Sequence, residues 1–139
     1  MLWLLLAEFL LGMSVNLFVG IPTGHPGAGS ASYFLGLVQG LGWALTHGTL
    51  LLVLHVALGL LLVVGSITLV FAILARRPRV AVAPAVTGWI GVTGAAFNGG
   101  SFINYGHDFS SMLMATGFAI AAASYVLALA ALLRAGRSR

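Results

Sequence analysis

Along this chain polar positions come in short clusters and apolar positions in long unbroken runs. The first run covers about residues 2–21 and closes on Pro22-Thr23-Gly24-His25-Pro26-Gly27, a stretch rich in turn-forming residues. A second extends from Tyr33 to Ala75 with neither a charge nor a proline. A third covers about 80–99 and a fourth about 110–133. Roughly 20 apolar residues in a helix cross the ~30 Å hydrocarbon core of a bilayer. The stretch from Tyr33 to Ala75 is too long for one simple span. Counting back from Arg76, a tilted span fills about 47–75 and leaves 33–46 over. Within that remainder Phe34, Leu37, Leu41 and Leu45 recur at helical spacing. The pattern predicts a short helix there, interfacial or re-entrant, with a bend near Gly42 to Gly48. The alternative is one long tilted helix. The expected fold is an all-α integral membrane bundle, one domain over 1–139. It has four transmembrane helices and an extra helix on the outer side.

Composition agrees with this pattern. Hydrophobic residues make up 60% of the chain and charged residues 6%, against roughly 25% charged in an average soluble domain. There is no cysteine, which excludes disulfides and thiolate–metal sites. The net charge of +4 does not point to nucleic acid. All the basic residues are arginines at two span ends: Arg76, Arg77 and Arg79, then Arg134, Arg137 and Arg139. That distribution is a positive-inside signal. It puts both arginine clusters, and with them both termini, on the cytoplasmic side. The absence of lysine beside abundant arginine, alanine and glycine suggests a bacterial inner membrane. The first run lacks a basic leader and is interrupted by Glu8, so it is expected to be a retained helix, not a signal peptide.

Each span carries a small or polar stripe. Glu8, Gly12, Asn16 and Gly20 repeat every four residues on the first, and Gly48, His55, Gly59 and Ser66 lie close to one face of the second. Pro84, Gly88, Gly91, Ala95 and Asn98 mark the third, and Ser110, Met114, Gly117, Ala121 and Ser124 the fourth. Small residues let helices approach closely in lipid, and polar ones bond across the interface. These stripes should face each other or a partner protein.

The candidate chemistry gathers on the side opposite the arginines. Histidine is a common ligand of metals and of haem b. A haem site would use His55 and His107, with His47 as a substitute. His47 and His55 cannot both hold one iron, because eight residues of helix separate them by about 80°. A metal site would draw on His25, His47, His107 and Asp108, yet none of these has a helical ligand spacing. The plain alternative is that these side chains bond to loop backbone and headgroups. Glu8 differs, being an acid inside an apolar span about two turns from its inner end. Ionisable residues at membrane depth are costly and point to function. An ion or proton path using Glu8 and Asn16 follows. No catalytic residues are assigned. His107-Asp108 with Ser110 or Ser111 lacks the separate elements a triad needs.

Short loops and incomplete sites favour a small non-catalytic membrane subunit. It would pack against other membrane subunits or copies of itself, with the lipid bilayer as its solvent. A haem b protein is the first alternative, and an ion or proton path through Glu8 the second.

Overall fold

The structure is a computed structural model that describes residues 1–76 and 79–137. Arg77 and Arg139 lie outside the described residues. It is all-helical, with α1 (Leu2–Phe18), α2 (Tyr33–His47), α3 (Leu50–Arg76), α4 (Arg79–Tyr105) and α5 (Asp108–Arg137). The long uncharged stretch is two helices, because Gly48 is extended and ends α2 at His47. A single long helix is thereby excluded. At the far end of α4, Gly106 takes a φ of 65°, which only glycine adopts freely. Its N–H caps the helix on Phe102 O at 2.9 Å.

Three stretches are long and apolar enough to cross a membrane: Leu50–Ala75, Arg79–Tyr105 and Asp108–Gly136. They mark the chain as a membrane protein. The first expected span, about 2–21, is shorter than anticipated. Its helix stops at Phe18 and the backbone at Val19 is already extended. Gly20 and Pro22 follow, and neither favours helix continuation. Seventeen residues make α1 only ~25 Å long.

The four helices α1, α3, α4 and α5 form a ring. Helix α1 packs against α3 and α5, and α4 packs against the same two from the other side. The backbones of α1 and α4 do not approach each other across the middle. Helix α2 lies against α3 and α4 at the end holding the α1–α2 connection, here the loop end. The opposite end, where α3 stops and α4 starts, is the arginine end.

The small-residue stripes face one another inside the ring. A Cβ added at Gly91 of α4 would sit 2.7 Å from Gly117 O of α5, and one at Gly117 would sit 2.7 Å from Gly91 O. Two backbones can run that close only where both residues are glycine. One step nearer the arginine end, the Tyr125 ring fills the space over Gly88, 2.7 Å from where a Cβ would stand.

Helix α1 is offset toward the loop end. The side chain of Met1, just before its first turn, reaches the level of Gly65 on α3, with its Cε 3.6 Å from a Cβ added there. About eleven residues of α3, or ~16 Å, continue past that level to Arg76. The apolar cluster at the arginine end accordingly holds Val70, Ile73, Ala81 and Ala85, with nothing from α1. Three apolar clusters thus stack along the bundle: this one, a middle one around Leu5, Leu62, Val92 and Tyr125, and one at the loop end around Val15, Ala44, Leu52 and Ile103.

Candidate functional site

The offset of α1 decides where Glu8 lies. Helices α1 and α3 run antiparallel, so Glu8 faces Gly59 and Gly12 faces His55. A Cβ at Gly59 would stand 2.9 Å from Glu8 Oε1, and one at Gly12 would stand 3.0 Å from His55 Cε1. Each ionisable side chain rests on the other helix's glycine. The two meet in between, with His55 Nδ1 2.9 Å from Glu8 Oε1. The approach is a close contact of the two groups, not an aligned hydrogen bond. Neither His55 Nδ1 nor Glu8 Oε2 has a hydrogen-bond partner, and both atoms are buried. The side chains are 24% and 15% exposed, shielded by the ring of helices.

Glu8 is therefore not two turns from the arginine side. Its level on α3 is Gly59, about 14 Å from the start of α3 and about 26 Å from its end. Counting depth from α1's own first residue misplaced it, because tertiary packing and not helix position sets depth. Glu8 and His55, expected as separate features, are one pair.

The pair lines a cavity of about 230 Å³ in the middle of the ring. It exists because α1 and α4 stand apart and the middle of the α4 face is the small residues Ala95, Ala96, Gly99 and Gly100. Most of the wall is apolar. Among the described residues, Asn16 and Ser111 are the other polar side chains on it, and Glu8 and His55 are the titratable groups that line it. Toward the arginine end Leu5, Leu62 and Val92 close it, and Tyr125 belongs to the same packed cluster. Toward the loop end it adjoins a second cavity of about 400 Å³, lined by Asn16, Thr23, His25, Asn104 and Tyr105. Asn16, Val15, Ile21, Phe102 and Ile103 border both. Asn16 is the polar residue in the wall that the two cavities share, between the loop end and the Glu8–His55 pair.

The remaining histidines are placed elsewhere. His25 is buried under the loop end, stacked on Trp43 at 4.5 Å between ring centroids. Its Nδ1 lies 2.9 Å from Pro26 O and its Nε2 3.0 Å from Ile103 O. Whichever nitrogen carries the ring proton finds a carbonyl to receive it. The ring pins the α1–α2 connection onto α4. Gly29 N–H to Asn104 O at 3.0 Å and Tyr105 O–H to Ser30 O at 2.9 Å fasten the same connection. His47 is exposed at the end of α2, its Nδ1 2.7 Å from Thr46 Oγ1. His107 is exposed in the α4–α5 turn beside the Tyr105 ring. Asp108 opens α5, where a negative charge favours the helix dipole.

The structure thus gathers Glu8, Asn16 and His55 at one cavity. His47 and His107, expected beside His55 in a haem site, are exposed and are not among the residues lining this cavity. Nor does it collect His25, His47, His107 and Asp108. Among the described residues no three histidine, aspartate or glutamate side chains form a group that could hold a metal. The chain matches no protein family, curated protein or solved structure.

The pairing of Glu8 with His55 has a signal in the sequence. Each of the two helices carries, within its apolar run, an ionisable residue with a glycine four residues further on. Laid antiparallel, the two motifs interlock.

Proposed function

We propose that this chain is a four-span membrane protein whose Glu8–His55 pair binds a proton drawn from the loop face, as part of a proton path through the bundle. The observation that carries the reading is the 2.9 Å approach of Glu8 Oε1 and His55 Nδ1 on the wall of a cavity that shares Asn16 with a second cavity toward the loop end. At that distance one proton can lie on the carboxylate or on the imidazole, and short transfer between them is a small movement. Two ionisable groups in an apolar bundle are costly to keep there, which argues for use and not for packing. Asn16 at the junction of the two cavities offers a donor and an acceptor to water on the way. The packed side chains of Leu5, Leu62 and Val92 close the way onward, so passage to the arginine side requires their movement.

In this reading α1 is the fourth crossing helix, tucked between α3 and α5. The arginine end is the cytoplasmic side of a bacterial inner membrane, by the bias of Arg76, Arg79 and Arg134. The second cavity then lies toward the outer side. A small subunit role, in a larger complex or a homo-oligomer, rests on the short loops and remains compatible with this site; the meeting of Glu8 and His55 favours the proton reading.

The test is proton flux into proteoliposomes under an imposed potential, followed with an internal pH dye. Wild-type protein should acidify the lumen above the empty-vesicle rate, and Glu8→Gln and His55→Gln should fall to that rate. Both variants keep side-chain volume, and their thermal stability in detergent reports whether they fold. Flux unchanged in a folded Glu8→Gln protein removes the pair from the path.

A further inference from the structure

The cavity at Glu8–His55 is larger and more apolar than a proton site needs. Its volume is about 230 Å³. An apolar cavity of ~150 Å³ stays dry and takes up benzene. Aromatic and methionine side chains, Phe9, Phe118, Met13 and Met114, supply much of its wall. Such polarisable side chains pack well on a flat ring. Phe9 and Phe118 stack on each other at 5.2 Å between centroids and bound the cavity where α1 meets α5. Beyond that stack, toward the loop end, Met13 and Ala115 are exposed and border the cavity.

At the wall, Glu8 presents one oxygen to His55 and leaves the other, Oε2, buried without a hydrogen-bond partner. A buried acceptor in that state calls for a donor. A ligand carrying only ether or carbonyl oxygens has no proton to give this acceptor. A cationic head would compete with His55 for the carboxylate. A neutral hydroxyl needs only the free oxygen.

We infer that this cavity binds a membrane-soluble aromatic hydroxyl compound, an alkylphenol or alkylhydroquinone. Its ring lies against the Ala95–Gly99 face of α4, and its hydroxyl donates to Glu8 Oε2. The alkyl chain leaves past Met13 and Ala115 into the lipid. The inference shares Glu8 with the proposed proton site and goes beyond it, because a proton path needs no ligand.

The experiment uses the full chain in detergent, with 4-octylphenol and 4-octylanisole as probes and native mass spectrometry to count bound molecules. The two probes share shape and differ in the hydroxyl proton. Wild-type protein should bind one 4-octylphenol at least tenfold more tightly than 4-octylanisole. Glu8→Leu should abolish that preference. Ala96→Leu, which fills the cavity, should lose both probes, and Ala115→Leu gives a second filler if the first lowers thermal stability. Equal affinity for the two probes in wild-type protein overturns the inference, as does undiminished binding in both filled variants. Glu8-dependent flux without phenol preference leaves the proton path standing and removes the ligand. Phenol preference with flux independent of Glu8 does the reverse.

Discussion

Replacing Gly117 by alanine adds one methyl group at the place where α4 and α5 run closest. The new Cβ would lie 2.7 Å from Gly91 O, 3.1 Å from Ala95 N and 3.2 Å from Ala95 Cβ. Ordinary contact begins near 3.4 Å, so the helices must part by roughly 0.7 Å along the worst contact. Two of those three neighbours are backbone atoms and cannot rotate aside. Overpacking of this kind costs about 1–3 kcal/mol. Opposing it, alanine is better than glycine in a helix interior by about 0.8–1.0 kcal/mol. Gly94→Ala isolates the second effect, because a Cβ at Gly94 meets nothing within 4 Å. The two variants should therefore differ by the whole overpacking cost, with Gly94→Ala at or above wild type. Unfolding by SDS in mixed micelles, followed through Trp89 on α4, measures both. The double variant Gly91→Ala/Gly117→Ala should cost less than the two singles together, since one insertion already separates the helices. Equal stability of Gly117→Ala and Gly94→Ala, or strict additivity of the double variant, would refute the close approach.

Three further substitutions probe the interlocked glycines and the α1–α2 connection. Gly59→Ala presses on Glu8 Oε1 and Gly12→Ala on His55 Cε1. In both, proton flux should fall while thermal stability stays at or above wild type. Full flux in both would mean the pair's geometry is irrelevant to it. His25→Ala removes a buried ring that bridges two carbonyls and stacks on Trp43, with an expected loss of about 1–3 kcal/mol. Amide exchange of residues 19–32 should speed up and Trp43 emission should shift red. Unchanged exchange there would show that His25 does not hold the connection down.

Hydropathy alone made the membrane class and the helical character legible. Uncharged runs of crossing length have no other stable home, and in lipid only internally bonded backbones survive. The break between α2 and α3 was also legible, because the stretch from Tyr33 to Ala75 exceeds one span. Glycine spacing announced close helix approaches, and the mutual contact of Gly91 and Gly117 is one. The sequence did not determine depth or partners across helices. Helix α1 slid toward the loop end because Leu5 packs on Leu62 and Val92, and Val15 on Leu52 and Ile103. That sum of side-chain contacts has no counterpart in the pattern of α1 itself. The slide carried Glu8 away from the arginine end and onto Gly59, beside His55. Similarly, His25 looked like a ligand in a turn, yet the carbonyls of Pro26 and Ile103 had already engaged it. Local sequence set which segments are helical and which faces are small. Only the packing of distant segments decided which polar groups meet, because meeting depends on the register between helices.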